Sequence, residues 1–240
     1  KLQIMSKNKT NGDFGISFYD QSAAFDLLDA TILVEKLAIY GFDDNSRRWV
    51  SSYLTERRHA VLIGSELSAP RDVEIGAPQG SVLSPVLYII QTADIDLWVE
   101  NGSIYCYADD TSSSTVGQTI PEVIEGLEAG AKDLLLFMAS NQLVANPTKT
   151  KVMIVGGGGA ESVQVDGDRI PSSNSEIVLG MKISSDLSWA EHVEDVHKTL
   201  TQRLHLLKRL SYKIPRTSLR MIADGIFQSK IRYGACMYIR

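Results

Sequence analysis

The chain has 240 residues, of which 44% are hydrophobic and 22% charged, so it can bury a core and does not belong to the disordered class. Its longest apolar stretch, residues 82–99, contains Pro85, Gln91, Asp94 and Asp96 and therefore predicts a buried helix, not a membrane span. The net charge of −5 argues against a protein that binds nucleic acid over its whole surface.

The first third of the chain predicts a strand, two helices and a hairpin. The predicted elements are a strand at residues 14–19, a helix at 26–40 that ends before Gly41, a helix at 45–54, and a hairpin with its first strand at 60–63, its turn at 64–65 and a return strand ending near 75. Asp26 stands at the predicted start of the first helix, where a carboxylate caps free backbone N–H groups. A metal ligand is the alternative role for Asp26.

The middle of the chain predicts a hairpin between two helices. The predicted elements are a helix from Pro85 to about residue 99, strands at 104–107 and 111–116 around a turn with Asp109 and Asp110, and a helix with Ile124, Leu127, Ala131, Leu134 and Met138 on its apolar face. Thr119 and Glu122 predict a capping box for that last helix, with Pro121 at its first position. Two strands on either side of two helices predict a split βαβ sheet.

The last part of the chain predicts a small β region and a basic helical tail. The predicted elements are a strand at 151–155, a flexible loop at 156–159, a hairpin at 163–170, a strand at 176–183, a helix opening with a capping box at Ser188 and Glu191, and a helix at 215–227. The helix after Ser188 is predicted to bury Val193, Val196, Leu200, Leu204 and Leu207 and to leave His192 and His197 on its surface.

Charge is distributed unevenly along the chain. Residues 187–240 carry ten Lys and Arg against four Asp and Glu, whereas residues 1–186 carry fourteen against twenty-five. An acidic body and a basic tail favour metal binding by the first and phosphate binding by the second. Solvated helix faces are the alternative interpretation of the tail.

Two acidic clusters each follow an apolar run that predicts a buried strand. Asp20 follows the first run, and Asp109 and Asp110 follow the second. Adjacent carboxylates repel each other and are best tolerated beside a divalent cation. Oxygen ligands without His or Cys are those that Mg²⁺ prefers, and the two Cys and four His show no zinc-ligand spacing. The clusters predict a magnesium site, whereas an Asp pair by itself is also typical of a hairpin turn.

Three motifs give the chain a family resemblance. The runs FYDQSAAFD at 18–26, GAPQGS at 76–81 and YADD at 107–110 resemble, in order and spacing, motifs of reverse transcriptases, and from about residue 14 onward the chain resembles the polymerase domain of a non-LTR (LINE-like) retrotransposon. Residues 51–58 resemble the segment between the first two motifs, 146–151 the lysine motif, and 179–181 the turn that grips the primer.

The resemblance implies an α+β fold with three parts. Residues 1–155 would form a split βαβ (ferredoxin-like) palm with partial fingers, 156–186 a small β connection with the primer-grip region, and 187–240 a helical thumb. Only nineteen residues precede Asp20, which is fewer than the basic fingers region of this family needs. The resemblance therefore implies a chain truncated in its fingers, belonging to a longer retroelement polyprotein.

The resemblance also implies two Mg²⁺ ions, replaceable by Mn²⁺, that steady the attacking and leaving oxygens of an in-line displacement. Asp20 and Asp109 would bridge both ions, and Asp110 would contribute more weakly. The backbone carbonyl of Gln21 would join the nucleotide-side ion.

Further residues would contact the incoming nucleotide. The ring of Phe25 would collide with a ribose 2′-hydroxyl and act as a steric gate, with core packing as the alternative. Gln79 and Gly80 would lie beside the templating base and the nucleotide. Lys149 would donate a proton to the leaving pyrophosphate, and Lys151 is the alternative for that role.

The implied partners are an RNA template, a DNA primer and deoxynucleoside triphosphates, in an intracellular protein, nuclear or cytoplasmic, with no membrane contact. The residues implied to contact primer and template are Tyr107, Leu179, Gly180, Arg203, Lys208 and Arg209, with core packing as the alternative for Tyr107. Two other functions stay open: an inactive remnant that binds nucleic acid through its basic tail, and another two-metal phosphoryl-transfer enzyme such as a nucleotide cyclase. The GAPQGS run argues against the cyclase.

Overall fold

The computed structural model of the protein describes residues 12–21, 23–146, 149–156 and 161–238. In chain order the elements are β1 (Asp13–Asp20), α1 (Ala30–Ile39), α2 (Asp44–Leu54), β2 (Arg57–His59), β3 (Leu62–Ile63), β4 (Glu66–Leu67), β5 (Arg71–Val73), α3 (Ser84–Thr92), β6 (Ser103–Tyr107), β7 (Asp110–Gly117), α4 (Ile120–Ser140), β8 (Lys151–Val155), β9 (Ser162–Val165), β10 (Asp168–Pro171), β11 (Ser175–Val178), β12 (Met181–Ser184), α5 (Ala190–Leu210), α6 (Arg216–Ala223), α7 (Ser229–Arg232) and α8 (Ala235–Tyr238). The described part of the chain contains no helix long and apolar enough to span a bilayer.

Four strands form the central sheet in the order β6, β7, β1, β8, and each neighbouring pair is antiparallel. Helix α3 lies between β1 and β6 in the sequence, and α4 lies between β7 and β8. The strand order agrees with the predicted split βαβ sheet. Together with the helices it gives an α+β fold.

Strand β1 is buried on both faces of this sheet. On one face a Cβ at Gly15 would lie within 2.7 Å of the side chains of Val123 and Leu127, so glycine allows α4 to lie directly on the strand. On the other face Ile16 packs in a smaller apolar cluster with Met153, Val155 and Ile183. The strand that leads to Asp20 is therefore packed from both sides.

Lys36 joins α1 to the C-terminal end of α3. Its Nζ donates to the backbone oxygen of Gln91 and to Oδ1 of Asp94, both at 2.5 Å, and lies 5.2 Å from the ring centroid of Phe137. Helix α3 ends at Thr92, so the prediction that it continues to residue 99 is wrong. Lys36 binds the carbonyl of Gln91 in its last turn, and a short 3₁₀ turn follows.

Helix α1 begins later than predicted. Asp29 is its N-cap, and the Asp29 carboxylate accepts from the N–H groups of Thr31 and Ile32 at 2.7 and 3.0 Å. Residues 23–27 form hydrogen-bonded turns, so the predicted cap at Asp26 is wrong.

The capping box of α4 is confirmed in a shifted form. Thr119 accepts from the N–H of Glu122 at 3.5 Å, and the Glu122 carboxylate accepts from the N–H of Gln118 at 2.8 Å. Pro121 occupies the second helical position, one later than predicted. The buried face consists of Val123, Leu127, Gly130, Ala131, Leu134, Phe137 and Met138, with Ile124 only partly buried.

Several shorter predictions hold to within one residue. They are α2, β8, and the hairpin of β9 and β10, whereas the predicted loop at 156–159 lies outside the described residues except for Gly156. The predicted turn at 64–65 is present between β3 and β4, which form a two-stranded sheet separate from that of β2 and β5.

The predicted single strand at 176–183 is wrong. Residues 175–184 form a hairpin, because Leu179 and Gly180 adopt positive φ angles of 48° and 74° and reverse the chain between β11 and β12. The predicted capping box at Ser188 is also absent. Trp189 is the N-cap of α5, and Glu191 pairs with Lys182 at 2.9 Å instead.

His192 is buried, at 3% exposure, so its predicted surface position is wrong. Its Nδ1 accepts from the N–H of Lys182 at 3.2 Å, and its ring contacts the rings of Trp189 and Tyr238. Burial lowers the pKa of His192, and the charge of Lys230 adds to that effect. The described chain folds back here, so that its last helix covers the start of α5.

The tail departs from prediction in two more ways. On α5 only Val196 and Leu207 of the predicted apolar face are buried, while Val193 and Leu204 are each 45% exposed. The last helix was predicted to end at 227, but α6 continues through a π-helical turn at 224–228 into α7.

Candidate active site

Three carboxylates lie at one edge of the central sheet. Asp20 is the last residue of β1 and pairs in register with Asp110, the first residue of β7. Asp109 occupies the turn between β6 and β7, next to Ala108, whose φ is +52°. Asp20 and Asp110, 90 positions apart in the sequence, are thus brought together by the β1–β7 ladder.

Lys149 also reaches this edge. Its Nζ donates to Oδ2 of Asp20 at 2.9 Å. The backbone supports the approach, because the N–H of Asn146 donates to the carbonyl of Asp20 at 2.9 Å and Gln21 bridges to Ala145. The structure therefore brings together Asp20, Asp110 and Lys149 from the predicted set. Residues 147 and 148 of the lysine motif lie outside the described residues.

The negative charges at this edge act on one another. Burial raises the pKa of Asp110, and the carboxylates of Asp109 and Asp20 raise it further. As the side chains stand, the described ranges contain no set of three His, Cys, Asp or Glu arranged to hold a metal ion. The Asp20 carboxylate is paired with the ammonium of Lys149. The side chains at this edge fit Mg²⁺, because carboxylate oxygens are the hard ligands that this ion prefers. A bound cation would also offset the repulsion between the three carboxylates.

The Gln21 side chain is buried next to Asp20. Its Oε1 accepts from the hydroxyl of Tyr88 at 2.6 Å, and its Nε2 donates to Oγ1 of Thr111 at 3.1 Å. Burial raises the pKa of Tyr88 well above its usual range, and the charge of Asp109 adds to it. The phenol is neutral and donates, so α3 fixes the residue that follows Asp20.

No sequence motif points to Tyr88 or Thr111. Tyr88 lies in an apolar helical stretch, where an aromatic residue is indistinguishable from core packing. Only the contact across 67 positions reveals its partner.

The loop at residues 76–80 packs on residues 25–28, which lie between β1 and α1. Ala77 N–H donates to the carbonyl of Phe25 at 2.7 Å, and Gln79 Nε2 donates to Oδ1 of Asp26 at 2.8 Å. Gly80 has a φ of +79° and open space around it. Two of the predicted nucleotide-contacting elements, Phe25 and the Gln79 loop, are therefore joined directly.

Phe25 is half-buried, and its ring centroid lies 5.4 Å from that of Tyr88 with the planes inclined by 45°. It packs against the main apolar core. This contact is compatible with both predicted roles, the steric gate and core packing.

The predicted primer and template residues lie on other elements. Tyr107, at the end of β6, is 68% exposed, so core packing does not explain it. Leu179 and Gly180 form the β11–β12 turn, where the Leu179 carbonyl accepts from the hydroxyl of Tyr233.

The three basic residues proposed on the tail differ in their surroundings. Arg203 is half-buried and donates to the carbonyl of Ile226, in the π-helical turn. Lys208 and Arg209 are exposed. Of the three, Lys208 and Arg209 therefore have their charged groups open to solvent.

Comparison with known proteins gives concordant similarities. The sequence profile of the family described as "Reverse transcriptase (RNA-dependent DNA polymerase)" matches residues 2–211. The chain is 25% identical over 220 residues to a probable RNA-directed DNA polymerase from transposon BS of Drosophila melanogaster, covering 85% of this chain and 24% of that protein. It is also 25% identical over 204 residues to the RNA-directed DNA polymerase from mobile element jockey of the same species, covering 79% of this chain and 22% of that protein.

A solved structure shares the fold. Telomerase from Candida tropicalis, in complex with a fragment of telomeric RNA, superposes with a TM-score of 0.54 at 14% identity, over 97% of this chain and 40% of that one. The chain spans about a quarter of the length of the curated relatives it matches.

Proposed function

This chain belongs to the reverse transcriptase (RNA-dependent DNA polymerase) family, and on that premise we propose that it is the RNA-directed DNA polymerase domain of a non-LTR retrotransposon. The observation that carries the proposal is the edge of the sheet where Asp20 and Asp110 pair and Lys149 joins them. Its reaction is the attack of a primer 3′-hydroxyl on the α-phosphorus of a deoxynucleoside triphosphate, directed by an RNA template.

The carboxylates of Asp20, Asp109 and Asp110 and the carbonyl of Gln21 would hold two Mg²⁺ ions, for which Mn²⁺ can substitute. When bound, the ions supply charge stabilisation for the attacking and leaving oxygens. The residues next to these ligands support this role, because the hydroxyl of Tyr88 binds and fixes the side chain of Gln21. A rigid support matters, since misplaced ligands lose much of their effect.

Lys149 is the residue proposed to manage the leaving group. Its ammonium already lies 2.9 Å from Asp20, at the carboxylate edge. An ammonium there can donate a proton to pyrophosphate and stabilise its negative charge. Lys151, the alternative, is the exposed first residue of β8 and pairs with Phe18, two positions before Asp20.

Selection of the nucleotide is assigned to Phe25, Gln79 and Gly80. Phe25 excludes a ribose 2′-hydroxyl, while Gln79 and Gly80 lie beside the templating base and the nucleotide. The direct packing of their two segments supports a shared binding surface. The wider assignment rests on the family resemblance: a palm with partial fingers at residues 1–155, a primer-grip connection at 156–186 with Leu179 and Gly180 at its turn, and a thumb at 187–240.

Primer extension tests the proposal. The chain is incubated with an RNA template annealed to a DNA primer, Mg²⁺ and deoxynucleotides, and template-directed elongation is expected. Asp109→Asn should abolish elongation and leave nucleic-acid binding intact, because it removes a ligand and one negative charge near phosphate. Asp133→Asn, an acidic residue on α4, is the matched control and should elongate like the parent. Elongation by Asp109→Asn at the parent rate would contradict the proposed site.

A second function, binding of nucleic acid without catalysis, is favoured by the basic tail. Lys208 and Arg209 are exposed on α5, so they can reach a phosphate backbone, whereas Arg203 is tied to Ile226. Replacing Lys208 and Arg209 by Gln should weaken binding and reduce the log–log salt slope by roughly 0.9 per lost contact on a B-form duplex. Replacing Arg203 by Gln should change the slope less. An unaltered slope in the double variant would show that the tail is a solvated surface.

A further inference from the structure

We propose that Asp26 is a positioning residue that holds the side chain of Gln79 in its working orientation, and that the 25–28 segment sets the place of the whole 76–80 loop. The inference rests on the proposed function, and it assigns to Asp26 neither the helix cap nor the metal ligation considered from the sequence. Its role is exerted through Gln79.

The backbone contact between the two segments is close. Gly76 N–H donates to the carbonyl of Leu28 at 2.9 Å, and Ala77 N–H donates to the carbonyl of Phe25 at 2.7 Å. A Cβ at Gly76 would lie 2.7 to 3.0 Å from backbone atoms of Asp26, closer than real Cβ contacts come. Only glycine lets the loop approach the Asp26 backbone in this way. Gly76 and Ala77 are buried, so this contact fixes where the loop starts.

The side-chain contact lies farther along the same loop. Gln79 Nε2 donates to Oδ1 of Asp26 at 2.8 Å, and both side chains are exposed. An exposed hydrogen bond contributes little to folding, because water replaces it readily when it is lost. Asp29 already caps α1, so Asp26 is not needed for that helix. What the Asp26 carboxylate does is select one orientation of an otherwise mobile Gln79.

The arrangement couples two selective elements of the site. The carbonyl of Phe25 and the carboxylate of Asp26 hold the same loop, one residue apart in sequence. A change in the position of the 76–80 loop therefore moves Phe25, and a movement of Phe25 shifts the loop. Selection of the sugar by Phe25 and contact of Gln79 with the base pair would then both depend on the packing of the 76–80 loop against residues 25–28.

Steady-state incorporation of a single deoxynucleotide tests the inference. Asp26→Ala should raise the nucleotide KM between about two- and tenfold, the range expected when one long side chain must be ordered on binding. The value of kcat should fall less. Asp26→Asn should restore the parent KM, since its Oδ1 still accepts from Gln79. Asp29→Ala is the matched control: it loses the α1 cap and some stability but should keep the parent KM.

A double variant decides whether Asp26 acts through Gln79. Adding Asp26→Ala to Gln79→Ala should change KM no further, because the held side chain is already gone. Additive effects, a parent-like Asp26→Ala, or an Asp26→Asn as weak as Asp26→Ala would each overturn the inference.

An NMR measurement separates this inference from the proposed function. In the free chain, the Gln79 side-chain amide resonance, assigned from its absence in Gln79→Ala, should shift in Asp26→Ala and stay in place in Asp29→Ala. If the parent fails to elongate a primer but the resonance shifts, the proposed reaction is wrong and the contact between Asp26 and Gln79 stands. An unshifted resonance overturns the inference whatever the activity.

Discussion

Replacing Gly76 by Ala should destabilise the protein by about 2–5 kcal/mol. Gly76 has a φ of +89°, and an L-residue in a left-handed conformation costs roughly 1–2 kcal/mol. The new Cβ would also lie 2.7 Å from the carbonyl oxygen of Asp26, which is backbone and cannot rotate away. The loop must therefore move, and it loses the bonds from Gly76 to Leu28 and from Ala77 to Phe25, worth about 0.5–1.5 kcal/mol each.

Gly80→Ala is the matched control for this experiment. Gly80 has a similar φ of +79°, but a Cβ there meets nothing within 4 Å. Only the conformational term of roughly 1–2 kcal/mol should appear. Urea unfolding of both variants measures the difference, which should exceed about 1 kcal/mol at unchanged m-value. If the two variants unfold at the same urea concentration, the 76–80 loop does not depend on its contact with residues 25–28.

Three further outcomes are expected. Lys36→Met should lower the free energy of unfolding by about 2–4 kcal/mol, because it leaves the partly buried Asp94 without its partner. Adding Asp94→Asn to that variant should recover part of the loss. A loss below about 0.5 kcal/mol, which is typical of an exposed ion pair, would contradict this. Phe25→Val should raise ribonucleotide incorporation relative to deoxynucleotide, and an unchanged ratio would identify Phe25 as a core residue. Asp110→Asn should raise the melting temperature at pH 7. The raised pKa of Asp110 means that the folded chain binds its proton more tightly than the unfolded chain does, so ionisation destabilises the fold as pH rises above about 4. The gain should vanish near pH 3, and a gain that does not depend on pH would refute this cause.

Local patterns in the sequence determined much of the fold. The apolar runs before Asp20 and before Asp109 predicted β1 and β6, and the capping box at Thr119 predicted the start of α4. These features depend on neighbouring residues, since strand pairing faces and helix caps are set within a few positions. The order of motifs likewise indicated the family that the profile match bears out.

Local patterns failed where a distant residue decides between similar candidates. The sequence predicted Asp26 as the cap of the first helix, but residues 23–27 form turns and the helix is capped by Asp29. The sequence from 85 to 99 suits one helix, yet Lys36, on α1, binds the carbonyl of Gln91 and helps end it early.

The candidate site, too, was predicted in part from local patterns and depends in part on distant contacts. The sequence by itself predicted which carboxylates belong to it, because their motifs carry the chemistry, and it left Lys149 and Lys151 as alternatives for the lysine. Only the tertiary structure decided that Lys149 faces Asp20, that Tyr88 supports Gln21, and that Asp26 holds Gln79. Each of these contacts joins residues more than 50 positions apart, and such contacts form only when strand register and loop packing bring the segments together.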